Sequence, residues 1–188
     1  MKIGVLAVQG DFQKHLDVLS RIGVDSLAIR TGEQLDEIDG LIIPGGESTT
    51  IYKLLDRGNF FERARRFVTE KPVFGTCAGA IMLAKHLSNN TLRTLEAIDI
   101  NIERNAYGRQ VDSFIDDVGF LGQRIEAVFI RAPRILSVGE KTELLSELNG
   151  DPVIVRDNNV LACTFHPELT DNDSVHRYFV KMVKDFNG

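Results

Sequence analysis

The strongest constraint on the fold is an alternation between short apolar runs and segments whose apolar residues recur at helical spacing. Ile3 to Val8 is a continuous apolar run, and the residues after it repeat at helical spacing until Gly23. Further apolar runs cover Gly40 to Ile43 and Lys71 to Gly75, each followed by another helical pattern, the second from Ala78 to Leu87. Strands that are apolar on both faces and alternate with helices are typical of a parallel sheet covered on two sides. The first half therefore predicts a doubly wound α/β fold with a mostly parallel sheet and helices on both faces.

The second half has a different texture, in which apolar and polar residues alternate. Ile98 to Ile102 is the clearest example, and this period of two favours half-exposed, antiparallel strands. Turns are predicted at residues 150–151 and 157–159, and a last helix from about Asp173 to Phe186. Because no repeat, linker or low-complexity tract interrupts the chain, we expect a single domain that spans residues 1–188.

The charge balance argues against a nucleic-acid partner. The chain has 22 Lys plus Arg against 27 Asp plus Glu, a net charge of −5, and no basic stripe. The first apolar stretch is short and is followed at once by Asp11 and Lys14, so we expect no secretion signal and no membrane partner. We therefore expect a cytoplasmic protein, with Cys77 and Cys163 as free thiols.

Cys77 lies inside a glycine-flanked turn, Gly75 to Gly79, between a predicted strand and a predicted helix. The segment matches a nucleophile elbow, in which a sharp turn lifts the nucleophile into the crevice at the end of the sheet. At the start of a helix a thiol also feels the positive end of the helix dipole, which favours the thiolate. A lone cysteine is more often a small buried residue, but this context favours Cys77 as a nucleophile.

The tripeptide His166-Pro167-Glu168 follows the last apolar strand. If the chain stays extended through Pro167, the side chains of residues 166 and 168 project to the same side. The carboxylate can then orient the imidazole, whose other nitrogen faces a thiol. A histidine before a proline is more often a turn residue, but beside the elbow it predicts a triad of Cys77, His166 and Glu168.

The turn Pro44-Gly45-Gly46-Glu47-Ser48 can supply the third part of an acyl-transfer site. Attack by a thiolate creates a tetrahedral oxyanion, which fixed backbone N–H groups stabilise. We expect these donors to be the N–H groups of Gly46 and Ala78. The glycines also make a tight turn, with Ser48 or Thr49 capping the next helix, and both roles are compatible.

Other chemistries find little support in the sequence. It contains neither the P-loop pattern nor the dinucleotide-binding glycine pattern, so we expect no cofactor. His15, His86 and His176 are dispersed on predicted helices, and we expect them to face solvent or helix ends rather than to bind a metal. The residues alone therefore indicate a Cys-His-Glu hydrolase or acyl transferase and do not name its substrate.

The motifs around Gly46, Cys77 and His166, which follow one another in this order along the chain, resemble class I glutamine amidotransferase domains, whose fold is flavodoxin-like. The whole chain is similar to one branch of that family, the glutaminase subunits of pyridoxal 5′-phosphate synthase. The segments that carry this similarity are Gly4–Gly10, Pro44–Thr50, Glu103–Phe114, Phe129–Pro133 and His166–Thr170.

The resemblance implies hydrolysis of L-glutamine to L-glutamate and ammonia by the triad above. The ammonia would pass through a tunnel to a partner, a (β/α)₈-barrel synthase subunit that builds pyridoxal phosphate from a pentose phosphate and a triose phosphate. It also implies that glutamine is held by Gly46, Glu47, Ser48, Arg104, Ile130 and Arg131. An arginine suits this task because a free amino acid carries a carboxylate.

Two alternatives stay open at this point. Another elbow-cysteine hydrolase of the same fold, such as a small peptidase or a γ-glutamyl hydrolase, would share Cys77 and His166. A non-catalytic binding or regulatory module of this fold would need neither residue. The chain also departs from the family in the loop Asn89 to Glu96, where Leu95-Glu96 replaces the usual Leu-Gly pair.

Overall fold

The computed structural model describes residues 1–7, 11–88, 92–104 and 113–188. Three parts of the motifs above lie outside these ranges: residues 8–10 at the end of the first motif, residues 89–91 of the divergent loop, and residues 105–112 of the Glu103–Phe114 stretch.

The strands, in chain order, are β1 Lys2–Leu6, β2 Asp25–Ile29, β3 Gly40–Ile43, β4 Val73–Thr76, β5 Ala84–Leu87, β6 Ile98–Glu103, β7 Ser113–Phe120, β8 Gln123–Ile130, β9 Arg134–Val138, β10 Glu143–Leu148, β11 Asp151–Asp157 and β12 Val160–Cys163. The α-helices are α1 Phe12–Arg21, α2 Ser48–Leu55, α3 Phe60–Glu70, α4 Ala78–Leu83 and α5 Ser174–Asn187. Short 3₁₀ segments cover Glu33–Glu37 and Pro167–Leu169.

Within the described residues, seven strands form the central sheet in the order β10-β11-β12-β4-β3-β1-β2. The five strands from β12 to β2 are parallel, and β10 and β11 add an antiparallel edge. Beside this sheet lie a three-stranded sheet, β5-β6-β9, and the β7-β8 hairpin. The predicted fold class is confirmed, with its antiparallel portion in the second half.

Helices cover both faces of the central sheet, as the apolar runs predict. Ile42 of β3 and Phe74 of β4 pack into a core that includes residues of α1, α5 and the β7-β8 hairpin. Their neighbours Ile43 and Val73 face the other way, into a core built with α2, α3 and α4. Because successive side chains of a strand point to opposite faces, strands buried on both sides must be apolar at every position. No helix among the described residues is long and apolar enough to cross a membrane.

One predicted helix is shorter than expected. The sequence favours a helix from Ala78 to Leu87, but α4 ends at Leu83 and the next four residues form β5. Ala84 has extended backbone angles, φ −65° and ψ 143°, and β5 pairs with β6 in parallel. Strand pairing therefore overrides the local helix propensity here. It also means that β6, a strand of the second half, has one parallel neighbour, whereas the sequence favoured antiparallel pairing there.

The divergent pair Leu95-Glu96 is accommodated locally. Glu96 has φ 54°, a left-handed conformation that glycine adopts without strain. Its carboxylate lies 2.6 Å from the guanidinium of Arg65 on α3. The usual glycine thus suits the same backbone, and in this chain an exposed ion pair accompanies the replacement.

Candidate active site

Cys77 stands at the sharp turn between β4 and α4, as the elbow motif predicts. Its backbone angles are φ 49° and ψ −106°, a strained combination for a residue other than glycine. Such strain persists only where the surrounding structure enforces it. Here the backbone N–H of Cys77 donates to the carbonyl of Cys163 in β12, at 2.9 Å. The turn is therefore tied to the neighbouring strand.

The two glycines of the elbow are required by close backbone packing. A Cβ atom on Gly79 would lie 1.9 Å from the carbonyl oxygen of Ile43, at the end of β3. A Cβ atom on Gly75 would lie 2.6 Å from the carbonyl carbon of Gly79. The start of α4 thus rests directly on β3 and β4, which fixes where Cys77 points.

His166 and Glu168 meet as predicted, but by a different local geometry. Pro167–Leu169 form a 3₁₀ turn rather than an extended segment, so the extended prediction is wrong. Proline suits the first position of such a turn because its φ is already fixed there. The turn brings Glu168 Oε1 to 2.7 Å from His166 Nδ1. Both residues are 4% exposed.

The charges around His166 favour its protonated form. Burial acts to lower its pKa, but hydrogen bonds and charge from Cys77 and Glu168 outweigh it and raise the pKa to about 10. Burial likewise acts to raise the pKa of Glu168, but the electrostatic effects of the neighbouring His15 and His166 and the bond from His166 hold it below the usual range. The arrangement therefore places an imidazolium between a thiol and a carboxylate. The thiol also lies 3.8 Å from the Ile130 carbonyl oxygen.

Sheet order explains why these distant segments meet. Strands β12, β4 and β3 are adjacent, and their carboxyl ends lead to His166, Cys77 and Gly46 respectively. The carboxyl ends of parallel strands lie at one edge of the sheet, where ligands bind. Gly45 lies so close to the imidazole that a Cβ atom there would be 2.4 Å from His166 Cε1.

Helix α2 is capped by Glu47, and not by Ser48 or Thr49 as expected. The Glu47 carboxylate accepts from the backbone N–H groups of Thr49, at 3.2 Å, and Thr50, at 3.0 Å. Burial acts to raise the pKa of Glu47, but hydrogen bonds from the side chains and backbone N–H groups of Thr49 and Thr50 lower it overall. Ser48 is left with a buried hydroxyl that has no hydrogen-bond partner within the described chain. Such a group is suited to bind a ligand.

A guanidinium completes this side of the site. The Nη2 atom of Arg104, just after β6, lies 3.1 Å from Glu47 Oε1. An ion pair at the wall of a pocket presents both signs of charge to a ligand. A zwitterionic amino acid needs such a pair.

These groups surround one pocket of about 410 Å³. It is lined by the proposed nucleophile, base and oxyanion donors, which are Cys77, His166, Gly46 and Ala78. The other five residues that the resemblance assigned to glutamine line it too: Glu47, Ser48, Arg104, Ile130 and Arg131. Arg131 has φ 43°, so two pocket residues other than glycine have left-handed backbones. The structure thus brings together every predicted site residue, with Glu168 behind the imidazole.

Sequence reasoning missed Asp11, which also lines the pocket. Ligand-type atoms of Asp11, His166 and Glu168 lie within 4.8 Å of one another. Two of these residues already bind each other through the 2.7 Å hydrogen bond, so we assign the group to the site itself and not to a metal. A polar residue directly before α1, at the carboxyl end of the β1 segment, was the available signal.

The prediction for the remaining histidines was wrong for two of the three. His15 and His176 are completely buried, whereas His86 is exposed on β5. His15 Nε2 lies 3.4 Å from Glu168 Oε2, and His15 Nδ1 lies 2.9 Å from His176 Nε2. The position of His15 on the apolar stripe of α1 was a signal of burial. Cys163 is buried and free, as expected, and burial raises its pKa well above the usual value.

Comparison with known proteins agrees with this geometry. The profile of the SNO glutamine amidotransferase family matches residues 5–185. The pyridoxal 5′-phosphate synthase subunit PdxT of Koribacter versatilis is 55% identical, over 100% of this chain and 98% of that protein. The subunit of the same name from Thermotoga maritima is 50% identical, over 98% of this chain and 100% of that protein.

Solved structures support the same assignment. A crystal structure of a glutamine amidotransferase is 44% identical, covers 97% of this chain and 98% of its own, and superposes with a TM-score of 0.92. A chain of the PurLQS structure from Thermotoga maritima, at 15% identity, covers 100% of this chain and 99% of its own with a TM-score of 0.70, so it shares the fold alone. Sequence, fold and site geometry lead to one conclusion: the chain belongs to the SNO glutamine amidotransferase family.

Proposed function

We propose that this chain is the glutaminase subunit of a pyridoxal 5′-phosphate synthase, and that it hydrolyses L-glutamine to L-glutamate and ammonia. One observation carries the proposal. A cysteine on a strained elbow shares a pocket with a buried histidine–carboxylate pair and a guanidinium, in a chain 50–55% identical to named synthase subunits. In this proposal residues 1–188 act as one glutaminase domain.

Substrate binding follows from the charges of the pocket. The Arg104 guanidinium binds the α-carboxylate of glutamine, and the Glu47 carboxylate attracts its ammonium group. The buried Ser48 hydroxyl, which has no partner within the described residues, supplies a further polar contact. The backbone around Ile130 and Arg131 forms the wall beside the thiol. Together these groups direct the side-chain amide towards Cys77.

The reaction then runs in two steps. The Cys77 thiolate attacks the amide carbon, and the N–H groups of Gly46 and Ala78 stabilise the oxyanion. The carbon–nitrogen bond breaks as the His166 imidazolium gives its proton to the leaving ammonia. A water molecule, deprotonated by His166, next attacks the thioester, and the carbon–sulfur bond breaks to release glutamate and the thiolate. Glu168 orients the imidazole in both steps.

The product ammonia has an assigned destination in this proposal. The relatives named above are subunits of a synthase. A glutaminase subunit of such a complex needs a partner subunit that consumes the ammonia it releases. We infer that this partner is a (β/α)₈-barrel synthase subunit, reached through a tunnel. A catalytic thiolate requires reducing conditions, which fits a complex in the cytoplasm.

The test is Cys77→Ala in the complex with the co-purified synthase. Ammonia release from glutamine should fall by at least about 10³-fold, because no other side chain can form the thioester. The matched control is Cys163→Ala, which removes the buried thiol that lies outside the pocket. That variant should keep its activity. Ammonia release by Cys77→Ala at the wild-type rate would remove the mechanism, and hydrolysis of a γ-glutamyl peptide but not of glutamine by the wild type would favour the alternative hydrolase.

A further inference from the structure

The carboxylate of Glu168 has two oxygens, and the triad uses only one of them. Oε1 accepts from His166 Nδ1 at 2.7 Å. Oε2 is fully buried and accepts no hydrogen bond from the described residues, and His15 Nε2 lies 3.4 Å from it. A buried carboxylate oxygen needs a donor. His15, on α1, stands where that donor is required.

A second buried histidine holds His15 from behind. His176 Nε2, on α5, lies 2.9 Å from His15 Nδ1. The Phe74 ring packs edge-on against both imidazoles, with interplanar angles of 88° to His15 and 85° to His176. Residues of α1, α5 and the central strand β4 therefore fix the planes of the two rings. A continuous series of buried polar contacts therefore runs through His166, Glu168, His15 and His176.

The contacts select one arrangement of protons along this series. If His15 donated from Nδ1 to His176, its Nε2 would present a lone pair to the carboxylate. His176 would then carry its proton on Nδ1, which is buried and has no partner among the described residues. Both features are unfavourable. The reverse arrangement has neither: His176 Nε2–H donates to His15 Nδ1, and His15 then carries its other proton on Nε2, which lies 3.4 Å from Glu168 Oε2 and 3.3 Å from the Thr76 hydroxyl.

Both rings stay neutral in this arrangement. Burial lowers the pKa of His176 to about 3, with the neighbouring His15 acting in the same direction. Burial also lowers the pKa of His15, against the opposing charge of Glu168. Each neutral ring then has one donor and one acceptor nitrogen, which is what a directed series of hydrogen bonds needs.

We propose that His15 is a positioning residue of the glutaminase reaction: supported by His176, it donates Nε2–H to Glu168 Oε2 and so fixes the carboxylate that orients His166. The proposal rests on the function proposed above. His15 does not line the pocket, so it acts on the reacting atoms only through Glu168 and His166. Its loss should therefore change the rate of the chemical step and leave glutamine binding unchanged.

Two amide substitutions separate positioning from mere packing. In His15→Gln the amide nitrogen reaches the place of Nε2, so the donor to Glu168 is kept. In His15→Asn the amide is one methylene shorter and reaches only the place of Nδ1, so that donor is lost. His86→Asn is the matched control, because His86 is exposed on β5 and far from the series.

The first readout is steady-state ammonia release by the complex with its synthase partner. A hydrogen bond to a charged group has a strength that corresponds to about a ten- to hundred-fold change in rate. His15→Asn should lower kcat by that factor with KM unchanged within about twofold, and His15→Gln should stay within about threefold of wild type. Equal kcat values for His15→Asn and His15→Gln, whether both normal or both reduced, would overturn the proposal, and so would a rise in KM alone.

The second readout does not depend on activity. The proton on His166 Nδ1, shared with Glu168 at 2.7 Å, should give a low-field proton NMR signal. The signal should persist in His15→Gln and His86→Asn and shift or broaden in His15→Asn. An unchanged signal in His15→Asn would count against the positioning role. If the wild-type complex released no ammonia from glutamine, the proposed function would fail while this measurement still decided the role of His15.

Discussion

Substitution of Glu168 by glutamine tests the electrostatics of the site most directly. The change keeps the size of a side chain that is 4% exposed and removes its charge. The amide can also turn its NH₂ group towards His166 Nδ1, which holds the imidazole in the wrong tautomer. The perturbation therefore acts on the orientation and the charge of His166 together.

The structure sets the size of the expected effect. A pKa raised from 6.5 to about 10 corresponds to a net stabilisation of protonated His166 by roughly 5 kcal/mol, after the opposing effect of burial. Cys77 and Glu168 both contribute to it. If Glu168 supplies about half, its loss costs about 2–3 kcal/mol, or roughly 30- to 200-fold in rate. A wrong tautomer in a related triad costs up to about 10⁴-fold, so we expect kcat to fall by about 10² to 10⁴.

The assay is ammonia release in the complex, with Glu70→Gln as the matched control. Glu70 lies on the exposed face of α3 and pairs with Arg66 at 2.8 Å, and such exposed pairs contribute little. Unfolding of the isolated chain should be measured in parallel as a function of pH. The raised pKa of His166 stabilises the folded state fully below pH 6.5, and this contribution is lost as the pH rises towards about 10.

In Glu168→Gln the pKa of His166 should fall, so the stability advantage of the wild type over the variant should shrink across that range of pH. A variant that kept more than about a tenth of the wild-type kcat would refute the reasoning, because the carboxylate would then not orient the base. If the stability advantage of the wild type did not change between pH 6.5 and 10, only the electrostatic part of the reasoning, the raised pKa of His166, would be refuted.

Two further substitutions test the elbow and the substrate pocket. Gly79→Ala should lower the free energy of unfolding by about 3 kcal/mol or more, because its Cβ would lie 1.9 Å from the Ile43 carbonyl oxygen. Both variants should be compared by urea titration, in which Gly119→Ala on β7, with nothing within 4 Å of the added atom, should be neutral; equal losses in the two variants would contradict the packing argument. Arg104→Gln should raise KM for glutamine about ten- to hundred-fold with little change in kcat, whereas Arg124→Gln, at an exposed site, should change neither. A fall in kcat alone for Arg104→Gln would remove it from substrate binding.

Local motifs made most of the site predictable from the sequence. The elbow needs only five consecutive residues, and the steric reason for its two glycines is present in any chain that makes this turn. The contact between His166 and Glu168 also lies within three residues, so the right pair was found although the 3₁₀ turn was not. Contact between two side chains this close in sequence can be predicted correctly even when the backbone conformation between them is predicted wrongly.

The residues behind the triad were harder to predict, because they come from opposite ends of the chain. His15 on α1 and His176 on α5 meet only because both helices cover the same face of the sheet. Their polarity favoured an exposed position, while the apolar stripe around His15 favoured burial. The stripe was the better guide. The end of α4 was missed for a similar reason, since pairing with β6 decides where the helix stops.

Two parts of the fold, the central sheet and the two smaller sheets, supply the groups of the site. The groups that make and break bonds follow β12, β4 and β3, adjacent strands of a sheet packed on both faces. Their separation is set by strand spacing, which surface loops do not alter. Arg104 instead follows β6, and Ile130 is the last residue of β8; these two strands belong to the two smaller sheets. Loss of a bond-breaking group that follows a central strand should therefore alter kcat, and loss of Arg104 should alter KM, which is the contrast that Glu168→Gln and Arg104→Gln measure.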